Sequence, residues 1–164
     1  MAGDFTMAIL FGEAGRYFWE LVNRRKQRSH PMVLVVLLVL ALFVLQTLLP
    51  TRFREPPAPG DQSVIAEAFG NRDHQRPHTV VGRRALRALA NMQEGLPVFI
   101  TLALLNLIVA PGASIALAGA WAFFVARVVY VGVYLAGVPV IRTLCWLTGL
   151  VGLGMMVVPL LDKI

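Results

Sequence analysis

Residues 83–99 read RRALRALANMQEGLPVF, and residues 100–110 continue as ITLALLNLIVA. A polar run feeds directly into an apolar one. Read as a helix, Arg83, Arg87, Asn91 and Glu94 follow at steps of four, four and three, so they share one face. Arg84 lies beside that stripe. The stretch from Leu96 to Ala110 reads as chain buried in a membrane. A polar stripe entering a lipid-spanning helix is costly unless it faces protein, water or a ligand. The stripe therefore marks where function is to be sought.

Composition agrees with a membrane setting. Of 164 residues, 57% are hydrophobic and only 15% are charged, against about 25% charged in soluble domains. The expected class is an all-α integral membrane protein built as a four-transmembrane-helix bundle. The net charge of +6 would suggest nucleic acid in a soluble chain. Here the arginines sit beside apolar runs, and anionic lipid, an anionic ligand or topology signalling accounts for them. Nothing resembles a nucleic-acid module, so no nucleic-acid partner is expected. The single cysteine, Cys145, excludes an internal disulfide framework.

Residues 1–31 are expected to form an N-terminal segment. Apolar positions among residues 4–28 mix with charges and end in Arg24, Arg25, Lys26 and Arg28. That pattern suits an amphipathic helix on the membrane surface, and equally a partly disordered tail. Acidic Asp4, Glu13 and Glu20 ahead of the basic run argue against a secretory signal peptide. Residues 32–164 are expected to form the membrane domain, with helices at about 32–49, 79–109, 113–136 and 140–161. Met32–Leu49 carries no charge and just meets the length needed to cross about 30 Å of hydrocarbon. Pro50 is expected to end it.

The loop 50–78 is the one long connection, rich in proline at its start and polar later. Val64–Phe69 reads as a short helical turn. A loop of this length in so small a protein is usually functional or disordered. Pro97 lies inside the second helix, where it frees a backbone carbonyl. Pro111-Gly112 and Gly137-Val138-Pro139 make tight turns between antiparallel neighbours. The fourth helix carries Gly149, Gly152 and Gly154, which suit close helix contact.

Eight basic residues (Arg52, Arg54, Arg72, Arg76, Arg83, Arg84, Arg87, Arg142) fall on the side of the long loop. Six (Arg16, Arg24, Arg25, Lys26, Arg28, Lys163) fall opposite. The excess places the long loop in the cytoplasm.

Three groups carry possible chemistry. Arg83 and Arg84 fit ordinary interfacial anchoring, in which arginines snorkel to headgroups. Asn91 and Glu94 lie deeper and are not long bases, so they call for a partner inside the bundle or a ligand. Arg127, Tyr130 and Tyr134 share a face of the third helix. Arg127 suits a structural pairing with Glu94, a cationic site for a carboxylate or thiolate, or both, because a guanidinium presents donors on two sides. Arg142, at the start of the fourth helix, reads either as an interfacial anchor or as part of a site. Cys145 reads as an apolar filler. Asp73, His74 and His78 do not make a metal site, because Pro77 breaks any helix between the histidines and no further ligand is evident.

The stretch RALRALANMQEGLPVF resembles the signature of the MAPEG family, the membrane-associated proteins in eicosanoid and glutathione metabolism. Arg87, Asn91, Glu94, Pro97 and Phe99 carry that match. ARVVYVGVY, residues 126–134, is similar to the family's third-helix pattern at Arg127, Tyr130 and Tyr134. GNRD, residues 70–73, is similar to bacterial members. The resemblance covers roughly residues 32–161. Leu89 and Ala90 depart from the prostaglandin E synthase branch, which carries polar residues there, and the spacing from Arg127 to Arg142 varies between branches.

The resemblance implies a four-helix membrane bundle that assembles as a homotrimer, with glutathione bound between subunits towards the cytoplasmic side. Arg87, Asn91 and Glu94 would contact the tripeptide, with Arg127, Tyr130 and Tyr134 contributing, and Arg142 would stabilise the thiolate. The implied activity is that of a glutathione S-transferase-like enzyme, a transferase or peroxidase. Its lipophilic small-molecule substrates would enter from membrane lipid, in a bacterial inner membrane. Two other readings stand beside it. One is a small proton-coupled transporter with Glu94 as its titrating carboxylate. The other is a non-catalytic protein that keeps the fold.

Overall fold

The structure is a computed structural model that describes residues 13, 30–57 and 76–164. Apart from Glu13, the amphipathic reading of residues 4–28 falls outside the described residues, as do the turn at 64–69 and the pair Asp73 and His74.

Four helices make up the bundle: α1 (His30–Arg52), α2 (Val80–Val109), α3 (Ser114–Ala136) and α4 (Pro139–Leu161). All four are long and apolar enough to cross a membrane, and the protein is an all-α integral membrane protein. The shortest have 23 residues, or about 34 Å at 1.5 Å per residue. Each residue rise carries its own backbone hydrogen bond, which is why helices serve as spans where lipid offers no partner.

Pro50 does not end the first span. It lies inside α1, which continues to Arg52. Proline removes the N–H that would bond the carbonyl four residues back and crowds that carbonyl, but so near the helix end only the last turn is affected, and Thr51 steadies it by donating from Oγ1 to the Leu48 carbonyl at 2.6 Å. Pro97 likewise sits within an unbroken α2.

The ends of the long loop are clamped together. Arg54 and His78 form an isolated antiparallel bridge, with the Glu55 N–H donating to the Pro77 carbonyl at 3.0 Å. Thr79 caps α2: its Oγ1 accepts from the Gly82 N–H at 3.2 Å and donates to the Phe53 carbonyl at 2.9 Å. The cap satisfies an orphan helix donor and ties α2 to the end of α1.

The interior is apolar and close-packed. Val35 and Val39 of α1, Met92 and Phe99 of α2, Phe123 of α3 and Met156 of α4 are fully buried. Phe99 and Phe123 stack with centroids 4.7 Å apart. Asn106 links α2 to α4 by donating from Nδ2 to the Met156 carbonyl at 2.8 Å. The most extensive contact is between α3 and α4; α1 packs on α2 and α3 only.

The α3–α4 contact depends on Gly119 and Gly152. A Cβ on Gly152 would lie 2.6 Å from the Gly119 carbonyl oxygen, and one on Gly119 would lie 2.4 Å from that of Gly152. Small residues let membrane helices approach this closely. The next glycine, Gly154, meets nothing within 4 Å. Gly152→Ala is therefore expected to push the helices apart and cost about 1–3 kcal/mol of stability, read as a lowered Tm in detergent. A wild-type Tm would contradict this account of the contact.

Candidate functional site

The buried residues Ala85, Ala88, Met92 and Phe99 define the inner face of α2. At about 100° per residue, Asn91 falls at the margin of that face and is half-buried. Arg87 and Glu94 fall beyond it and are exposed on the protomer. The stripe read from the sequence is one helical face, but only its edge turns inward.

Across from Asn91, α3 supplies Arg127, with 3% of its surface exposed. Its Nη1 donates to the Asn91 Oδ1. The guanidinium carbon lies 4.9 Å from the Phe123 ring centroid and 5.7 Å from that of Tyr130. Gly95 of α2 and Gly149 of α4 stand opposite its nitrogens, so no side chain competes for the space. Its Nε has no acceptor among the described residues.

The pairing of Arg127 with Glu94, one of the readings the sequence offers, is not a direct ion pair in the bundle, although the two charges still attract one another. Asn91 is the partner, and among the described residues no ion pair joins Arg127 to Glu94. The reason is rotational: setting the small and aromatic face of α2 into the core carries Glu94 outward.

Tyr130 and Tyr134 are both buried, with ring centroids 5.3 Å apart. They pack with Ala88 and Cys145. Arg142, at the start of α4, lies over the Tyr134 ring at 5.1 Å. A cation over an aromatic face is attracted by the ring quadrupole, which holds Arg142 beside the bundle. Cys145 is a half-buried filler of this cluster.

These residues border a pocket of about 210 Å³, lined by Arg84, Arg87 and Arg142, by Tyr134, and by the Gly137–Pro139 turn. Among the described residues, no acidic side chain lines it. The turn is made by Gly137, whose φ of 81° lies in the left-handed region that glycine adopts freely. The Arg84 guanidinium occupies the space beside it, and a Cβ on Gly137 would meet Arg84 at 2.6 Å. Arg84 also donates from Nη1 to the Leu135 carbonyl at 3.0 Å. It therefore caps the end of α3 and lines the pocket, rather than serving as the free headgroup anchor the sequence suggested. Its place three residues before Arg87 is the signal that could have included it. Arg83 donates to the His78 carbonyl at 2.7 Å and does not line the pocket.

The sequence-predicted residues thus divide. Arg87, Tyr134 and Arg142 reach the pocket. Asn91, Arg127 and Tyr130 form a buried polar layer next to it. Glu94 is exposed.

The MAPEG family model matches residues 31–161. The chain belongs to the MAPEG family. The match takes in all four helices of this MAPEG chain and every residue of the pocket. MAPEG proteins include glutathione-dependent transferases and peroxidases. No curated protein and no solved structure matches the chain.

The Arg127–Asn91 assignment predicts the order of two variants. Asn91→Leu leaves a buried guanidinium without its acceptor and should cost about 1–3 kcal/mol or more, lowering Tm by several degrees. Glu94→Gln should change the Tm of the same detergent preparation by less. The reverse order would show that Glu94 is the partner.

Proposed function

We propose that this chain is a glutathione-dependent membrane enzyme of the transferase or peroxidase type. The observation that carries the reading is the convergence of Arg84, Arg87 and Arg142 on one pocket at one end of the bundle, with no acidic side chain among its described lining residues. Such a donor set suits a ligand with several anionic groups. Glutathione has two carboxylates and a thiol, and guanidinium forks match carboxylates geometrically. Its ammonium needs a carboxylate, and Glu94 is the acid on the adjoining face of α2. The phenols of Tyr130 and Tyr134 supply hydrogen-bond donors.

A thiol near its ordinary pKa of about 8.5 is mostly protonated at neutral pH, and a neighbouring cation favours the thiolate. Arg142, held over Tyr134, is the residue in place to do this. The thiolate then attacks a lipophilic electrophile, forming a C–S bond as a leaving group departs with its electron pair, or as an epoxide or activated double bond opens to an anion that takes up a proton. With a hydroperoxide, two thiols give a disulfide, an alcohol and water. The lipophilic partner enters sideways from the bilayer.

Glu94 also supports assembly. It stands at the middle of the 30-residue α2 and is exposed on the protomer. An ionisable group at that depth seldom faces lipid. Association of copies along this face of α2 shelters it, and the reading adopts the homotrimer the family resemblance implies, with glutathione bound between subunits. The basic excess favours the cytoplasmic side for the arginine-rich end, in what we take to be a bacterial inner membrane.

The same mid-membrane carboxylate favours the second reading, a proton-coupled transporter built on Glu94. Glutathione separates the two: thermal stabilisation of the detergent-solubilised protein by glutathione supports the enzyme. No shift, together with proton-driven efflux, supports the transporter. For the enzyme, Arg142→Ala should lower turnover about 10²-fold or more while most of the glutathione-induced stabilisation persists. Unchanged turnover would remove Arg142 from its role.

A further inference from the structure

Arg127, singled out by the sequence as a site residue, is not placed to touch a ligand. It is buried, its Nε is closed off, and it does not line the arginine pocket. Any part it takes in binding has to pass through a neighbour that a ligand can reach.

That neighbour is Asn91. The Arg127 Nη1 donates to the Asn91 Oδ1. A guanidinium carries donors and no acceptor, so the amide atom that faces it has to be the oxygen. Arg127 has little freedom to let go. The Phe123 and Tyr130 rings flank its guanidinium at 4.9 and 5.7 Å, and a Cβ on Gly95 would already lie 3.1 Å from its Nη2.

An amide holds its oxygen and nitrogen on opposite sides of one carbon, so the Asn91 Nδ2 is turned away from Arg127. This nitrogen has no hydrogen-bond partner among the described residues, and unlike the Arg127 Nε it is not closed off. Asn91 is half-buried at the margin of α2. It sits one turn, about 6 Å, deeper than Arg87, which lines the pocket. A ligand that extends from the pocket along this face therefore meets a donor at Asn91 and no acceptor.

We propose that Arg127 is a positioning residue that sets the direction of the Asn91 amide. It holds the oxygen inside the bundle and presents the nitrogen to the ligand. The inference rests on the glutathione reading of the pocket: Nδ2 then donates to an oxygen of bound glutathione. Without Arg127 the amide turns freely and can put its oxygen outward, against an anionic ligand. Freezing it the right way round then becomes a cost of binding.

The test is a double-mutant cycle read by calorimetric titration of the detergent-solubilised full chain with glutathione. Asn91→Leu removes the donor and should weaken binding about tenfold, the difference one hydrogen bond makes. Arg127→Met should weaken binding at least about threefold more in the wild-type background than in the Asn91→Leu background, the cost of immobilising one freed side chain. The loss common to both backgrounds is that of the charge's longer-range field, and the coupling between the two residues isolates the positioning effect. Asn91→Ser, which lacks the amide donor and leaves room for a water on the guanidinium, is a second background and should give the same coupling. Equal losses on Arg127→Met in wild-type and donor-free backgrounds would show that Arg127 acts through its charge alone and would overturn this inference while leaving the enzyme reading intact. A wild-type protein that binds no glutathione would overturn both.

Discussion

Arg127 is a full positive charge set among apolar helices, and the polar end of the bundle is arranged around it. Desolvating a guanidinium is expensive, so three helices contribute to its surroundings. α2 brings the Asn91 amide oxygen, α3 brings the Phe123 and Tyr130 rings, and α2 and α4 set Gly95 and Gly149 against its nitrogens. None of these neutralises the charge. The field of an unneutralised buried cation extends towards the adjoining pocket, and in low dielectric it is screened little.

The pocket inherits that bias. Arg84 is fixed by the Leu135 carbonyl and Arg142 by the Tyr134 ring, so two of its cations are placed by contacts that need no ligand. Donors held in position before a ligand arrives lose little entropy on binding and need little reorganisation during reaction. The lone carboxylate of the stripe, Glu94, is exposed and does not line the pocket. One face of α2 therefore carries both Arg87, which lines the anion-seeking pocket, and the exposed carboxylate of Glu94. That arrangement suits a zwitterionic ligand.

Much of this was legible in the sequence. Four apolar runs of spanning length gave four helices, because length and hydropathy alone decide whether a segment can cross a bilayer. The steps from Arg87 to Glu94 correctly put those residues on one face. The spacing could not show how that face is turned relative to α3, because the setting depends on where Ala85, Ala88, Met92 and Phe99 find their packing. Asn91 was therefore overlooked as the partner of Arg127. The capping role of Arg84 was hidden for a similar reason, since its acceptor lies 51 residues away at a helix end that only the fold brings near. Pro50 misled because a proline near the end of a span was read as a stop, whereas one lost N–H is tolerable near a helix terminus.

The central claim is that the arginine pocket holds glutathione as a thiolate. Titrating the ultraviolet thiolate absorbance of glutathione bound to the wild-type protein tests it most directly. The account predicts that the bound thiol titrates at least about one unit below the ordinary value near 8.5, and that Arg142→Ala returns it towards that value. A bound thiol that titrates at the ordinary value in the wild-type protein would contradict it.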